Sequence, residues 1–568
     1  MKNFYEIFKW TGNQRVLFWV FLGILIFPNL VMIYTESTTW LTKITSVVLM
    51  FGLYWLSFAM WKKPGNAFWW LFIFFFFGAF EIVLLFLFGE SPIAVDMFLN
   101  VTTTNISEVH ELLSDLIPAV AFVFFLYVPA MILAVVSIKN KNELTPGFLK
   151  KQRILSIPVI LVGIGMLVSN YYVSPYFKIR NDIFPLNVCY NLGLSIKRVY
   201  KTSNYEKTSA HFTYNAKSNR TDSINEIYVL MIGETLRADN LSVYGYERNT
   251  TPNLAQMDSS TVVFRDAFTM SNTTHKSVPM LLSPIASEAF DSIYYRKGII
   301  TAFKEAGFST AFYSNQRRNH SFIDFFGCEA DDVLFLKDSV SVTANVNDFQ
   351  LVNLFKKRIE SYTGGKLLIV LHCYGSHFNY QDRYLTNRAV FKPDYIPSAD
   401  KKYRDRLINS YDNTVVQADE FFNRVATVLE QTGVNSAIVF TSDHGEDIFD
   451  DERGRFLHAS PLPTYYQVRV PLIVWTSKSY RETYKDTWDN LKGNKDVPIS
   501  TNKVVFHTLL DMCGVDTHFK INQNALSNKD FKESKRMYVN DHNEFLPFER
   551  AGFKKQDVEQ FKLHGLKY

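Results

Sequence analysis

Residues 437–446 read Ala-Ile-Val-Phe-Thr-Ser-Asp-His-Gly-Glu, so a short apolar run ends directly in acidic and imidazole side chains. The β-branched and aromatic residues of the run are typical of a buried β-strand. Asp443, His444 and Glu446 then stand at its carboxyl end. In open α/β sheets, ligands bind beyond the carboxyl ends of the strands. This stretch therefore predicts a strand that delivers chemically active side chains to one edge of a sheet.

Three further runs have the same strand-like character and alternate with helical patterns. They cover residues 227–232, 367–371 and 472–475, and an amphipathic stretch from Tyr403 to Leu429 precedes residue 437. Short strands alternating with helices predict an α/β sandwich around a largely parallel sheet. The first run ends in Gly233-Glu234-Thr235, and the second ends in His372. We therefore expect acids and imidazoles from three strands to converge.

Glu234, Asp443 and His444 offer the ligands of a metal site that keeps one coordination position open for a substrate. Zinc fits this set of oxygen and nitrogen ligands best. A single histidine beside a strand is more often a satisfied structural residue, so the prediction depends on the three residues together. His377 and His458 are further imidazoles, which would suit either a bound phosphate or a second metal.

A segment rich in hydroxyl groups precedes a predicted helix and could supply a nucleophile. Residues 269–279 read Thr-Met-Ser-Asn-Thr-Thr-His-Lys-Ser-Val-Pro. Composition does not choose among these hydroxyls, and Ser271, Asn272 and Thr273 would also suit a helix N-cap. Both interpretations can hold, because a helix N-terminus also stabilises phosphoryl oxygens.

The first third of the chain carries five stretches that are long and apolar enough to cross a bilayer. They cover approximately residues 16–34, 45–61, 67–88, 116–138 and 154–173. Lysine and arginine cluster before residue 16, at residues 62–63 and between residues 139 and 153, which are alternate connections. These connections are expected in the cytoplasm, and the chain after residue 173 is expected outside it. The alternative is that one stretch, most plausibly the second, is re-entrant.

Composition divides the chain into three parts and excludes one class of function. Residues 1–173 are predicted to form the membrane anchor, residues 174–225 a connector along the membrane surface, and residues 226–568 the catalytic domain. The net charge of +5 is small and no long basic run occurs, so nothing supports nucleic-acid binding. The four cysteines show no metal-knuckle spacing, and their pairing stays open: Cys189, Cys328, Cys373 and Cys513.

Several short motifs follow the apolar stretches in a fixed order. Together with those stretches they cover nearly the whole chain. They are Gly233-Glu-Thr-Leu-Arg-Ala-Asp239, Gly245-Tyr-Glu-Arg-Asn-Thr-Thr-Pro252, Thr274 with Val278-Pro279, His372-xxxx-His377, Tyr411-Asp-Asn-Thr414, Ser442-Asp-His-Gly-Glu446 and Leu457-His458. This set resembles the phosphoethanolamine transferases of the alkaline phosphatase and sulfatase superfamily, which include enzymes that confer polymyxin resistance. The resemblance implies an α-helical five-span transmembrane domain followed by an alkaline-phosphatase-like, sulfatase-like α/β/α domain.

The resemblance also implies roles for individual residues. Thr274 matches the family's nucleophile, and Glu234, Asp443 and His444 match the residues that bind zinc together with the Thr274 oxygen. Three histidines match residues that contact the transferred phosphoryl group or a second zinc ion: His372, His377 and His458. Three residues look like the family's substrate-contacting triplet near the membrane: Asn100, Thr104 and Glu108. At this spacing the triplet shares one helix face, and a solvated polar stripe is the alternative.

The implied enzyme transfers phosphoethanolamine from phosphatidylethanolamine to lipid A phosphate or another lipopolysaccharide acceptor through a covalent phospho-threonine intermediate. It would use one or two zinc ions and lie in the bacterial inner membrane, with its catalytic domain in the periplasm and both lipid substrates within reach. The alternatives are a phosphoglycerol transferase and a phosphoethanolamine transferase acting on a core sugar or another surface glycan. A sulfatase would need a Cys/Ser-x-Pro-x-Arg segment, which the sequence lacks. A catalytically inactive membrane scaffold would be unaffected by replacement of Thr274.

The chain departs from the family pattern in two places. Proteobacterial members have cysteines flanking the nucleophile segment, whereas Met270 and Met280 stand at the matching positions. The family's basic residue upstream of the histidine pair has no clear counterpart, and Arg317, Arg318 and His320 are the candidates. We therefore expect no disulfide around the nucleophile and an altered acceptor-phosphate site.

Overall fold

The structure, a computed structural model, describes residues 12–35, 38–88, 94–103, 106–174, 177–221, 223–341 and 344–568. The side chains of residues 35, 86–88, 100–103 and 106–116 are outside this description. The chain forms two compact units whose main boundary lies between Lys197 and Arg198.

The N-terminal unit is entirely helical in its described part. Its main helices are α1 Gln14–Thr35, α2 Trp40–Phe58, α3 Pro64–Trp70, α4 Phe72–Phe88, α5 Val95–Thr103, α6 Ile106–Lys139, α7 Pro146–Val173 and α8 Leu186–Ser203. Among the described residues, α1, α2, α6 and α7 contain stretches long and apolar enough to cross a membrane. Helices α3 and α4 meet at 66° and make a fifth span if the bent pair counts as one. The bend lies in the third predicted span, whereas the second, for which re-entrance was the alternative, is the continuous helix α2.

Two glycines let α2 and α7 approach each other closely. A Cβ atom on Gly52 would lie 2.8 Å from Ile160 Cγ1, and one on Gly163 would lie 2.8 Å from Leu49 Cα. Small residues at such crossings allow the close packing that drives helix association in lipid. Substitution of either glycine would therefore push these two helices apart.

The C-terminal unit is built on a seven-stranded sheet. Its strands are β1 Glu226–Gly233, β2 Thr261–Val263, β3 Ser309–Ser314, β4 Asp332–Phe335, β5 Lys366–His372, β6 Asn435–Ser442 and β7 Leu472–Thr476. The order across the sheet is β2-β7-β6-β1-β5-β3-β4. The five strands from β6 to β4 are parallel, whereas β7 runs antiparallel to both of its neighbours. The predicted, largely parallel sheet is confirmed.

Helices cover both faces of this sheet. They include α9 Thr274–Leu281, α10 Phe349–Glu360, α11 Arg404–Thr432 and α12 Thr501–Met512. Tyr228, Leu230 and Ile232 of β1 pack in one apolar core with α9 and α12, and the alternate residues of β1 pack in a second core with α10 and α11. Because successive side chains of a strand point to opposite faces, this division shows three α/β/α layers. All eight residues of β1 are buried, as expected for a central parallel strand.

Candidate active site and metal centre

The carboxyl ends of neighbouring strands deliver the acidic and imidazole side chains predicted from the sequence. Gly233 of β1 lies opposite Ser442 of β6, and Ile232 of β1 lies opposite His372 of β5. Glu234 and Asp443 are the next residues along their strands, and both are almost completely buried. Sheet register therefore brings these side chains to one edge.

The turn after β1 is tightly constrained. Thr235 has φ +55°, a left-handed conformation that is rare for a β-branched residue. The Tyr411 hydroxyl holds this turn, because it donates to Thr235 O at 2.7 Å and accepts from Arg237 N at 2.8 Å. Gly375 packs against it with φ +52°, and a Cβ atom there would lie 2.6 Å from Glu234 O. The position of Glu234 thus depends on a tyrosine and a glycine from other segments.

Thr274 lies between two of the predicted metal ligands. Its Oγ1 atom is 3.0 Å from Glu234 Oε1 and 3.0 Å from His444 Nε2. Thr274 is the first residue of α9, and Thr273 at the N-cap makes no side-chain capping bond. The amide of Asn272 bonds instead to Ser460 O and Gln467 Oε1. Thr274 is therefore the residue of the hydroxyl-rich segment 269–279 whose side chain contacts Glu234 and His444.

His444 and Asp443 complete the first group of ligands. His444 Nε2 lies 3.1 Å from Asp443 Oδ2 and 3.5 Å from Glu234 Oε1, while its Nδ1 lies 2.9 Å from Gly445 O. A neutral His444 that donates from Nδ1 to this carbonyl would present Nε2 as a free ligand. The backbone thus orients the ring so that Nε2 faces the two carboxylates and Thr274.

His458 and His377 approach the same group from loops. The His458 ring centroid lies 4.3 Å from that of His444 and 5.6 Å from that of His377. His458 Nδ1 lies 3.3 Å from Glu446 Oε2, and the Tyr380 hydroxyl donates to the other oxygen of Glu446. A carboxylate partner of this kind fixes the orientation of a ligating histidine.

Burial shifts the pKa values of the central groups in the direction that removes their charge. Burial, reinforced by the charge of Asp443, raises the pKa of Glu234 well above its ordinary value, and burial also raises the pKa of Asp443. Burial, reinforced by the charge of His458, lowers the pKa of His444 well below its ordinary value. Such opposed shifts in one cluster are typical of functional sites. A bound cation would restore the ionised carboxylates and suit the neutral imidazole.

These residues fit a divalent metal ion. Ligand atoms of Glu234, His444 and His458 all lie within 4.8 Å of one another. The buried Asp443 Oδ2 has no hydrogen-bond donor among the described residues, because a neutral His444 protonated at Nδ1 approaches it at 3.1 Å with a bare Nε2. Such an oxygen is costly unless another group binds it. Carboxylate oxygens and imidazole nitrogens in this number suit zinc. Two of the predicted ligands, Glu234 and His444, thus form this group with His458, and the assignment of Asp443 and Thr274 as further ligands stays a prediction.

His372 lies at the same edge but bonds differently. It is completely buried, its Nδ1 lies 3.0 Å from Ser314 Oγ, and burial lowers its pKa to about 4. Its Nε2 finds no partner among the described residues. His372 is therefore a neutral ring beside the cluster, and its role stays a prediction.

The substrate-contacting triplet lies outside the described side chains. The backbone of Asn100 is in α5 and that of Glu108 in α6, whereas Thr104 falls between the described ranges. Their contact with the substrate therefore stays a prediction.

Sequence reasoning missed Gln316. Its Nε2 donates to Glu234 Oε2 at 3.0 Å, so it occupies the carboxylate oxygen that does not contact Thr274. Among the described residues, none of the three candidates for the family's basic residue has a recorded contact with the cluster. Arg317 donates to Val340 O, Arg318 pairs with Asp338, and His320 is exposed. Gln316 stands two residues beyond β3, a strand that the sequence analysis did not identify.

Comparison with known proteins identifies two family matches. Residues 226–515, just over half of the chain, match the family described as "Sulfatase", and residues 91–200 match "Phosphoethanolamine transferase EptA/EptB". The Kdo(2)-lipid A phosphoethanolamine 7''-transferase of Escherichia coli K12 is 31% identical over 59% of this chain and 60% of its own length. The phosphoethanolamine transferase EptA of the same strain is 28% identical over 51% of this chain and 54% of its own length. The chain thus aligns with less than two thirds of these relatives.

Solved structures show the same fold. The integral membrane lipooligosaccharide phosphoethanolamine transferase A of Neisseria meningitidis superposes with a TM-score of 0.69 over 89% of this chain and 97% of that chain, at 20% identity. The periplasmic domain of Escherichia coli EptC in complex with zinc superposes with a TM-score of 0.53 over 60% of this chain and 98% of that chain, at 22% identity. The match over residues 226–515 shows that the chain belongs to the sulfatase family.

Proposed function

We propose that this chain transfers phosphoethanolamine from phosphatidylethanolamine to a phosphate of lipid A or to another lipopolysaccharide acceptor. The observation that carries the proposal is the position of Thr274 Oγ1, which lies 3.0 Å from both Glu234 Oε1 and His444 Nε2 at the start of a helix. A hydroxyl held between a carboxylate and an imidazole is the arrangement of an activated nucleophile. The relative in Escherichia coli K12 is named for the same transferred group and for Kdo(2)-lipid A.

In the first step, Thr274 Oγ1 attacks the phosphorus of the donor. The bond from phosphorus to the diacylglycerol oxygen breaks, and diacylglycerol leaves with one proton, which balances the proton that Thr274 gives up. The hydroxyl proton of Thr274 leaves along its hydrogen bond to Glu234 Oε1. The product is phosphoethanolamine bound to Thr274, with the N-terminus of α9 beside its phosphoryl oxygens.

In the second step, an acceptor phosphate or hydroxyl attacks the phosphoethanolamine–Thr274 intermediate from the side that diacylglycerol has vacated. The bond from phosphorus to Thr274 Oγ1 breaks, and Thr274 takes up one proton, which balances the proton that an acceptor hydroxyl or protonated phosphate gives up. The product is phosphoethanolamine joined to the acceptor oxygen. Two in-line displacements give net retention at phosphorus and ping-pong kinetics. His377 and His458 would contact the phosphoryl oxygens or bind a second metal, because the His458 ring lies 4.3 Å from that of His444 and 5.6 Å from that of His377.

Zinc is the proposed cofactor, as one or two ions. Glu234, Asp443, His444 and Thr274 would hold the first ion. Bound zinc would lower the pKa of the Thr274 hydroxyl and neutralise charge on the phosphoryl group.

The proposed location is the bacterial inner membrane, with residues 226–568 in the periplasm. Both substrates are lipids whose headgroups lie at the outer face, so the helical unit would keep the site near them. Asn100, Thr104 and Glu108 would contact the donor. Phosphoethanolamine adds positive charge to an anionic surface lipid, and this would weaken the binding of cationic peptides such as polymyxin.

The test is mass spectrometry of lipid A from a host that lacks its own phosphoethanolamine transferases. Cells would express the wild-type chain or the Thr274→Ala variant at equal levels. We expect a phosphoethanolamine increment with the wild type that disappears with Thr274→Ala.

Other outcomes separate the alternatives. Release of diacylglycerol with unmodified lipid A would assign the transfer to a core sugar or another glycan. A phosphoglycerol increment would replace the proposed donor headgroup. No modified product in cells that contain the folded wild-type protein would refute the proposal.

A further inference from the structure

One buried side chain bonds to both sides of the segment that carries Thr274. Asn502 stands near the start of α12 and is completely buried. Its Oδ1 accepts from Thr269 Oγ1 at 2.9 Å and from Met270 N at 2.6 Å. Its Nδ2 donates to Ser277 O at 2.9 Å and to Ser277 Oγ at 2.8 Å. A single amide therefore joins the chain before Thr274 to the chain after it.

The orientation of this amide is fixed by its partners. Met270 N can only donate and Ser277 O can only accept, so the oxygen and nitrogen of Asn502 cannot exchange places. All four hydrogen-bonding positions of the amide are used. Asn502 itself is positioned by a short parallel ladder in which Ile499–Ser500 pairs with Ala267–Phe268. Asn502 and the segment that begins at Thr269 therefore each follow one strand of this pair.

Ser277 connects Asn502 to a predicted metal ligand, Asp443. Its hydroxyl accepts from Asn502 Nδ2 and donates to Asp443 O at 2.6 Å. Ser277 lies in the first turn of α9, three residues after Thr274, and is completely buried. The backbone of Asp443 and the helix that begins at Thr274 are therefore joined by one continuous chain of hydrogen bonds from Asn502.

A second amide holds the segment from the other side. Asn272 Nδ2 donates to Gln467 Oε1 at 2.7 Å and to Ser460 O at 2.9 Å, and its Oδ1 accepts from Tyr538 OH at 2.8 Å. Ser460 follows the His458 loop by two residues. The segment is thus bonded toward Asp443 through Ser277 and toward the His458 loop through Ser460, and the partners of Asn272 are all buried.

Hydrogen bonds take the place of a covalent link in this region. All four cysteines are free, and none lies in residues 269–281. Met270 and Met280, where the family resemblance led us to look for cysteines, are both buried apolar side chains. The backbone around Thr274 is therefore fixed by Asn502 and its partners.

We propose that Asn502 is a positioning residue that holds the Thr274 hydroxyl in line for attack, and that this chain needs no disulfide to do so. The inference rests on the proposed transferase function, since it assigns to Asn502 a part of that reaction. Asn502 does not touch the substrate. It acts on the reaction through Ser277, Met270 and the start of α9.

The experiment compares Asn502→Ala with Asn413→Ala in the full chain in detergent. Asn413 is a matched control, because it is also buried and its amide also bridges two chain segments, accepting from Val390 N and Phe391 N and donating to Phe391 O. The measurement is diacylglycerol release from fluorescent phosphatidylethanolamine, giving kcat and KM. Thermal unfolding and zinc content are recorded for each variant.

For Asn502→Ala we expect kcat to fall about 10-fold to 100-fold, the range that a misplaced reacting group can cost. KM and zinc content should stay within about twofold of wild type. Ser277→Ala, which keeps the Ser277 carbonyl bond, should lower kcat about threefold to tenfold. Asn413→Ala should lose a similar amount of thermal stability and keep its kcat.

Equal kcat values for Asn502→Ala and Asn413→Ala at matched folded fraction would overturn the inference. An inactive wild-type protein would instead refute the proposed function, so the two failures are distinguishable. The absence of a disulfide is tested separately with tris(2-carboxyethyl)phosphine. We expect the wild-type rate to be unchanged, and a rate that falls with this reductant would show that a cystine contributes.

Discussion

The two halves of the cluster are held in different ways. The strand-end half consists of Glu234, Asp443 and His444, which directly follow two adjacent parallel strands. The loop half consists of His377 and His458, which stand on irregular segments. The first half is placed by backbone register over several residues, whereas the second depends on a few side-chain contacts.

This difference indicates how each half responds to change. Seven or eight paired residues on each side of β1 fix the strand-end half, so a single substitution cannot shift it far. In the loop half, His458 stands between Leu457 and Ala459, which both have left-handed backbone conformations, and Glu446 orients its ring. We therefore expect replacement of a ligand to be decisive in the strand-end half, and replacement of a supporting residue to matter more in the loop half.

The largest effect is expected from Asp443→Asn in the strand-end half. The amide cannot supply the negative ligand that the buried Oδ2 offers, so zinc content should fall to less than half of wild type. Without the metal, several kcal/mol of transition-state stabilisation are lost, and activity should fall at least about 100-fold. Elemental analysis of the purified protein and the lipid assay measure the two effects.

Asp419→Asn provides the control for loss of a buried carboxylate. Asp419 accepts hydrogen bonds from Asn253 N and Leu254 N and has no part in the cluster. The Asp419→Asn variant should retain its zinc. Equal zinc content in both variants would contradict the assignment of Asp443 as a ligand.

The second largest loss of activity is expected from Glu446→Gln, because Glu446 supports His458 of the loop half. Glu446 accepts from Tyr380 and orients His458 through Nδ1, and an amide in its place can donate to that ring nitrogen and favour the wrong tautomer. Loss of such a partner typically costs about 10-fold to 100-fold in metal affinity or activity. Activity should fall by this factor while the strand-end half keeps its zinc. A variant with wild-type activity would show that His458 needs no orienting carboxylate.

The fold was largely predictable because its signals are local. The strand-like runs at residues 227–232, 367–371, 437–441 and 472–475 all lie within strands of the main sheet. Three strands of the main sheet were missed. β2 Thr261–Val263 is only three residues long, and β3 Ser309–Ser314 and β4 Asp332–Phe335 contain exposed or polar residues that interrupt the apolar pattern. The bend at Leu71 was also missed, because the sequence between Trp69 and Phe72 is continuously apolar.

The strand-end half could be predicted because a residue that follows a strand must stand at the edge of the sheet. The family resemblance pointed to Thr274, and its contacts with Glu234 and His444 are visible only in the structure. Gln316 and Asn502 could not be found, because each acts through a bond to a residue more than 80 positions away. Nothing in the local sequence distinguishes such an amide from an ordinary surface residue.

The pH dependence of zinc binding should distinguish the carboxylates from the imidazoles. The pKa of Glu234 is raised in the metal-free fold, so this fold favours the protonated form and loses stability as the pH rises through that pKa. Zinc must displace this proton, whereas His444, whose pKa is lowered, is already neutral. Zinc affinity should therefore rise about tenfold per pH unit for each proton displaced.

The measurement is the difference in Tm between zinc-loaded and chelated protein from about pH 5.5 to pH 8. The zinc-dependent gain should grow with pH across this range, since proton competition falls. A gain that does not vary with pH would mean that Glu234 is ionised without the metal. Glu234→Gln should abolish most of the gain at every pH.

The smallest effects are expected from two tyrosines, one supporting each half. Tyr411 bonds to the turn after Glu234, and Tyr380 bonds to Glu446. Both are completely buried, and their rings are in edge contact at 5.2 Å. Replacement by phenylalanine removes only the hydroxyl, so the two variants compare the halves with almost no change in packing.

Tyr411→Phe leaves the carbonyl of Thr235 and the N–H of Arg237 without their partner, which should cost about 1–3 kcal/mol of stability. Its effect on activity should be only a few-fold, because sheet register still places Glu234. Tyr380→Phe removes one partner of the buried Glu446 carboxylate, so it should also cost stability, and it should lower activity more than Tyr411→Phe by loosening Glu446 and His458. Thermal unfolding and kcat of the two variants give both values. A larger loss of activity in Tyr411→Phe would mean that the strand-end half depends on its supporting side chains as much as the loop half does.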